Sequence, residues 1–130
     1  MKDKDKESYV PQQWFQKSDL DMKRSEILIN NQDPEGAAFH LQQSIEKSLK
    51  GYLISKGWKL QRIHDLEDLL DYAVEFNREI EEFRTLCQEV TEYYIEERYP
   101  ILISSALTED EVRTKIGKAK ELILKIKQGM

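Results

Sequence analysis

A long apolar stripe in the second quarter of the chain constrains the fold more than any other feature. From about Glu35 to Lys56 the apolar side chains recur at steps of three and four residues, as Ala38, Leu41, Ile45, Leu49 and Tyr52. This spacing is typical of one face of an α-helix. Strand signals are nearly absent, because β-branched residues lie inside helical patterns and no Asn-Gly or Asp-Gly hairpin dipeptide occurs. The chain is therefore predicted to be all-α.

Residues that start or end helices divide the rest of the chain. The first helix is predicted from about Pro11 to Asn30, because proline suits an opening turn and a cluster of Asn, Asp and Pro follows. Gly57 is expected to end the second helix. Asp65 is expected to cap a third helix, and Asn77 marks the break before the fourth.

The ends of the last two helices are marked by a proline and a capping box. Pro100 lacks an amide hydrogen, so the fourth helix is predicted to stop near Arg98. Thr108 followed by Glu111 is a capping-box pattern and opens the fifth helix. Five helices with short loops predict an antiparallel up-and-down four-helix bundle with an additional helix.

Length and composition indicate one globular domain. A chain of 130 residues, with 39% hydrophobic and 35% charged residues, can form a single core. Residues 11–130 are expected to form the bundle and residues 1–10 a flexible N-terminal tail. The apolar runs are too short to span a membrane, and the charged N-terminus lacks a signal-peptide core. A cytoplasmic location is expected.

The net charge and the small number of cysteine and histidine residues limit the ligands that this chain can bind. A formal net charge of -5 argues against an extended nucleic-acid surface, which would have to attract phosphates. Cys87 is the single cysteine and falls on an apolar helix face, so it is expected to be a core residue. His40 and His64 are the only histidines, and no zinc-site spacing occurs. We predict no metal and no cofactor, although a local basic site for one nucleotide remains compatible with the charge.

A group of polar side chains on the second helix is the main candidate binding site. Successive helical residues turn by about 100°, which places four of them in one arc roughly opposite the apolar stripe: His40, Gln43, Lys47 and Lys50. Such a ridge could hydrogen-bond a base and pair with phosphate oxygens. The alternative is a solvated helix face, in which Glu46 and Lys50 form an ordinary ion pair across one turn.

Two further residues are weak candidates for catalysis. His64 precedes the helix cap Asp65, and capping alone explains that pair. A general acid or base role for His64 would need a partner that the sequence does not show. Arg98, followed by Tyr99 and a proline, could form a structural ion pair or bind a phosphate or carboxylate.

Taken together, these segments resemble the HEPN family in order and spacing. The residues that carry the resemblance are the run Gln43-Ser44-Ile45-Glu46-Lys47-Ser48-Leu49-Lys50, then His64-Asp65-Leu66 with Leu69, then Tyr94, then Arg98-Tyr99-Pro100, with Trp14 and Asp19-Leu20 in the first helix. The match spans most of the chain. The usual family form is a helix with the pattern Gln-Gln/Ala-x-Glu-Lys-x-Leu-Lys, a His-Asp-Leu helix start and an Arg-Tyr-Pro helix end.

The resemblance implies a helical bundle that is usually a homodimer. It further implies a module that binds a nucleotide, or that works beside a minimal nucleotidyltransferase in a toxin and antitoxin pair. The ligand-binding residues expected on this basis are His40, Gln43, Lys47, Lys50, Arg98 and Tyr99. We expect binding of a ligand or partner rather than catalysis by this chain alone.

Two alternatives stay open. Some HEPN proteins are RNases that share an arginine and a histidine separated by about four to six residues, a spacing that neither His40 nor His64 satisfies. A metal-independent RNase toxin would therefore require Arg98 and His64 to meet in space. The other alternative is a helical adaptor that recognises only protein.

Overall fold

Five α-helices and one 3-10 turn make up the described chain, with no strand among them. The computed structural model describes residues 10–98 and 107–130, and the side chains of 10–94 and 107–130. The helices are α1 (Pro11–Asn30), α2 (Pro34–Ser55), α3 (Leu66–Val74), α4 (Arg84–Arg98) and α5 (Glu109–Gln128), and the 3-10 turn is Arg78–Phe83. The all-α prediction is confirmed.

The four long helices run up, down, up and down, and α2 lies at the centre. It contacts α1, α3, α4 and α5. The apolar stripe predicted from the sequence is fully inside, and Leu41, Ile45 and Leu49 are each 0% exposed. The short α3 is the additional helix. No described helix combines the length and apolarity needed to cross a membrane.

Small polar side chains join α1 to α2. The Ser18 hydroxyl donates to the Ser44 carbonyl at 2.8 Å, and the Ser44 hydroxyl donates to the Ser18 carbonyl at 2.9 Å. Ser25 donates to the Ala37 carbonyl at 2.7 Å. A Cβ atom added at Gly51 would lie 3.0 Å from Cβ of Trp14, so the helices approach closely here. Serines therefore occupy part of the buried face of α1, and its apolar residues are less regularly spaced than those of α2.

The predicted caps are confirmed where the structure describes them. Asp65 accepts from two backbone amides at the start of α3, and Thr108 accepts from the Glu111 amide at 3.1 Å. Gly57 has φ of 92° after α2. The amides of Gly57 and Trp58 donate back into the last turn of α2, which satisfies its carbonyls.

The start of the fourth helix differs from the prediction. Residues 78–83 form a 3-10 turn before the α-helix begins at Arg84. In 3-10 geometry side chains three residues apart lie above one another, and this places both Ile80 and Phe83 in the core. The Arg84 guanidinium then bonds Glu67 of α3 and Glu81 of the turn, which holds the two elements together.

Cys87 is a core residue, as expected. Its side chain is 0% exposed, and burial raises the pKa of the thiol to about 12. A thiol that stays protonated is a poor nucleophile. The expectation of an inert cysteine is therefore supported by its surroundings.

The end of α1 provides a test of backbone strain. Gln32 has φ of 60°, in the left-handed region that favours glycine. Gln32→Gly is expected to stabilise the protein by about 0.5–1 kcal/mol, because the strain it relieves exceeds the added entropy of the unfolded chain. Urea unfolding followed by circular dichroism measures the change, with Gln32→Ala as the control that keeps the strain. A lower unfolding midpoint for the glycine variant would contradict the assignment.

Candidate functional site

Two buried carboxylates flank Gln43 on α2, and together they organise the candidate site. Asp21 of α1 is 2% exposed, and Glu46 of α2 is 5% exposed. A buried carboxylate needs cationic or hydrogen-bonding partners to compensate its lost hydration. Each carboxylate is surrounded by such partners, and Gln43 lies between the two groups. We call this arrangement the Gln43 site.

Three basic side chains lie around the Asp21 carboxylate. Nδ1 of His40 lies 2.8 Å from Oδ1, and Nζ of Lys47 lies 2.5 Å from Oδ2. Nη1 of Arg24 is 3.6 Å from Oδ1. Since a carboxylate only accepts, Nδ1 of His40 carries a proton, and its other ring nitrogen, Nε2, is left for another partner. Three basic groups around one acid leave an excess of positive charge near the surface.

The Glu46 carboxylate holds a second set of donors. Lys50 donates at 2.9 Å, and Nδ1 of His64 lies 3.1 Å from Oε2. Nε2 of Gln42 donates to Glu46 at 3.1 Å and to the His64 carbonyl at 3.0 Å. Gln43 donates to Oε1 of Gln42 at 2.7 Å, which fixes the orientation of the Gln42 amide. The loop before α3 is therefore attached to the centre of α2.

Aromatic rings cover one side of this network. The His64 ring stacks on Tyr94 of α4, with ring centroids 4.7 Å apart and planes 14° apart. Phe39 lies against the same tyrosine, with centroids 6.3 Å apart. The His64 side chain remains 48% exposed. Its imidazole is thus held by a carboxylate and by a stacking partner, while part of it faces solvent.

The structure brings together most of the residues that the sequence singles out. His40, Gln43 and Lys47 lie at the site and are partly buried. His64 joins them, although it comes from a separate segment. Arg98 has no described side chain and Tyr99 lies outside the described residues, so both expectations remain predictions.

The structure corrects the prediction that Lys50 lies on the polar ridge of α2. The sequence predicts it on a polar arc opposite the core, but it is 4% exposed and its ammonium is hydrogen-bonded to Glu46. The reason is that α2 is the central helix and is covered on both sides, so the face opposite its apolar stripe is also largely inside. The solvated-face alternative is correct in pairing Glu46 with Lys50 across one turn but wrong in expecting that pair to be exposed.

Sequence reasoning assigns no role in the site to three of its members, Asp21, Glu46 and Tyr94. Asp21 gives no signal, because its partners lie 19 and 26 residues away in the chain. Glu46 is named as the ion-pair partner of Lys50 and within the run that resembles the HEPN family, but not as a residue of the site. Tyr94 appears among the residues that resemble the HEPN family, and its stacking on His64 is not foreseen. These contacts depend on how the helices pack.

A separate cleft of about 340 Å³ lies between the 3-10 turn, α4 and α5. Four glutamates line it with two lysines, and Lys115 is within 3.6 Å of both Glu89 and Glu111. Burial opposes the charge of Lys115, but Tyr93 and these two glutamates outweigh it and raise the pKa of the ammonium. Excess negative charge makes this cleft unsuitable for a phosphate.

No metal-binding group of three or more His, Cys, Asp or Glu side chains occurs within residues 10–98 and 107–130. The two histidines belong to different carboxylates.

Comparison with known proteins identifies the family. The HEPN domain model matches residues 11–129, so this chain belongs to the HEPN family. The resemblance noted in the sequence is confirmed. No curated protein matches the chain.

Two solved structures share the fold. One is TT1696 from Thermus thermophilus, with a TM-score of 0.79 and 20% identity, covering 92% of this chain and 98% of its own. The other is ST0689, described as an archaeal HEPN homologue, with a TM-score of 0.73 and 22% identity, covering 92% of this chain and 96% of its own. At these identities the comparison establishes the fold.

The buried pair of Glu46 and Lys50 generates a stability prediction. Glu46→Gln keeps the shape but leaves the Lys50 ammonium buried without its counter-charge, so a loss of about 3 kcal/mol in unfolding free energy is expected. Urea unfolding measures it. The double variant Glu46→Gln with Lys50→Met removes both charges and is expected to recover more than half of the loss. An unchanged midpoint for Glu46→Gln alone would show that the pair is not buried.

Proposed function

We propose that this HEPN protein binds a nucleotide at the Gln43 site. The observation that carries the proposal is the His64 ring, which is stacked on Tyr94, held by Glu46 and still 48% exposed. A planar ring fixed on one side and open to solvent is a platform for a nucleobase. Stacking of a base on such a ring contributes about 1–3 kcal/mol without requiring one particular base.

The basic side chains around Asp21 are proposed to bind the phosphate of the nucleotide. His40 and Lys47 are 27% and 23% exposed, so their polar ends remain within reach of a ligand. Lysine acts as a mobile point charge, and Arg24 can add a planar donor set at the rim. Three basic side chains sharing one carboxylate would favour an anion beside them.

Gln43 lies between the proposed base-binding ring of His64 and the basic side chains around Asp21. It lies one helical turn from His40 and from Lys47 on the same face of α2. Its amide donates to Gln42, which leaves its side-chain oxygen as an acceptor for a base amino group. Lys50 is left out of the proposed contacts, because its ammonium is already bound to Glu46 below the surface.

The proposed function includes the partners with which the chain acts. Membership in the HEPN family supports a homodimer acting beside a minimal nucleotidyltransferase in a toxin and antitoxin pair. The proposed role of this chain is to bind nucleotide or partner. Arg98 and Tyr99, which follow Tyr94 in the sequence, are proposed to complete the site.

One observation favours a second candidate function, metal-independent RNA cleavage. Glu46 binds Nδ1 of His64 and directs the opposite ring nitrogen, Nε2, away from itself. A carboxylate that orients a histidine in this way prepares it to transfer a proton. The RNase alternative would then use His64 as general acid or base and Arg98 to stabilise phosphate charge.

Substitution of the stacking ring tests nucleotide binding. Titration calorimetry with AMP and ATP is expected to show a Kd about tenfold or more weaker for His64→Ala, because a stacking surface is lost. His64→Phe keeps the ring and is expected to retain most of the affinity. Lys47→Met is expected to weaken ATP more than AMP, because ATP carries more negative charge.

The matched control is Lys56→Met, since Lys56 is an exposed lysine beside Tyr52 and away from the site. Equal affinity of the wild type and His64→Ala would refute the stacking site. Cleavage of total RNA by the wild type, lost in His64→Phe while nucleotide affinity is kept, would support the second candidate instead.

A further inference from the structure

The seam between α1 and α5 carries a surface that the nucleotide site does not use. The two helices run antiparallel, and ion pairs join Asp19 to Lys127 and Glu26 to Lys120. Between these pairs lies a shallow cavity of about 230 Å³, with the buried side chains Met22 and Ile123 in its wall.

Three large apolar side chains of these two helices project to solvent: Leu20 and Ile27 on the outer face of α1, opposite its buried face, and Leu124 beside the cavity. Leu20 is 48% exposed, Ile27 is 59% exposed and Leu124 is 57% exposed. Leu20 and Ile27 lie seven residues apart on one line of α1, which corresponds to about 10 Å. Leu124 lines the cavity on the neighbouring helix. We call this surface the Leu124 face. Grouped apolar side chains of this kind are more informative than single ones.

The Leu124 face is basic, although the chain as a whole is acidic. Apart from Arg24, which is one of the basic side chains around Asp21, the cationic residues along the outer half of α1 and the adjoining edge of α5 are Lys17, Lys23, Arg113, Lys120 and Lys127. The carboxylates at the seam are Asp19 and Glu26, and each is already paired with a lysine of α5. Within the described residues, Lys17 and Lys23 have no carboxylate in ion-pair range. The formal net charge of the whole chain is -5, so the charges are segregated.

We propose that the Leu124 face docks an acidic, amphipathic helical segment of a partner protein. Leu20 and Ile27 have the spacing of anchors that receive apolar side chains at positions i and i+7 of a helix. Leu124 and the shallow cavity extend the apolar contact sideways. Lys17 and Lys23, which have no described carboxylate in ion-pair range, pair with acidic residues that flank the apolar stripe of the partner. This inference stands independently of the nucleotide site.

Other occupants fit the surface less well. A symmetric contact with a second copy would place the same basic residues against one another, which is repulsive. RNA would use the positive charge but leave the three apolar side chains without a role. An anionic membrane would need a broader apolar face than three side chains provide, and most of this acidic chain would be repelled by it.

The test uses defined probes on the full chain. The main probe is a labelled helical peptide with a leucine stripe flanked by glutamates, and its matched control has lysines in place of the glutamates. Fluorescence anisotropy, with protein up to about 1 mM, is expected to show binding of the acidic peptide only. Leu124→Glu is expected to weaken that binding about tenfold or more, because an apolar contact is lost and a like charge is added.

Two further variants separate the surface from general effects. Lys23→Glu is expected to weaken the acidic peptide and to make its binding less sensitive to salt. Tyr72→Glu introduces the same charge at a residue of α3 that is 42% exposed, and it is expected to leave binding unchanged. Circular dichroism verifies that each variant is folded.

Several outcomes would overturn the proposal. These are no binding of the acidic peptide, equal binding by Leu124→Glu, or tighter binding of phosphatidylglycerol vesicles or of a single-stranded RNA that depends on Leu124. A change in oligomeric mass of the Leu124→Glu variant in sedimentation would assign the face to self-association instead. Nucleotide affinity, measured in the same samples, reports separately on the Gln43 site.

Discussion

The burial of the Glu46 carboxylate in the middle of α2 is the constraint on which much of the structure depends. A carboxylate removed from water requires compensation, and here the compensation comes from the same helix, from the loop before α3 and, indirectly, from α4. Lys50 and Gln42 bind it within α2, and His64 binds it from the loop. His64 in turn stacks on Tyr94. One buried charge thus links three elements at the Gln43 site.

The second buried acid, Asp21, performs a related task on the other side of α2. It faces two bases of α2 across the helix interface, where the apolar contact is reduced by serines. The central helix therefore carries a polar group on both flanks of its outer face, and this is unusual for a helix so deeply buried. Both groups bring basic side chains to the same stretch of surface, which is why the candidate site forms around Gln43.

The sequence is sufficient for features that depend on local chemistry. Asp65 and Thr108 cap their helices because a cap is made within a few residues, and Gly57 ends α2 for the same reason. It is insufficient where a contact joins distant segments. The pairing of Asp21 with His40, and of His64 with Tyr94, requires knowing which helix faces lie together. Lys50 shows the difference most clearly, because its ion pair can be predicted from spacing while its burial cannot.

The reciprocal bonds between Ser18 and Ser44 fix the axial register of α1 against α2. Asp21 lies one turn along from Ser18, about 5 Å of helix rise. A slip of α1 by a single turn would break the serine pair and also carry the aspartate away from His40 and Lys47. The alignment of two uncharged hydroxyls thereby determines where the charged groups of the site stand. A neutral contact outside the site thus sets the distances between the charged groups within it.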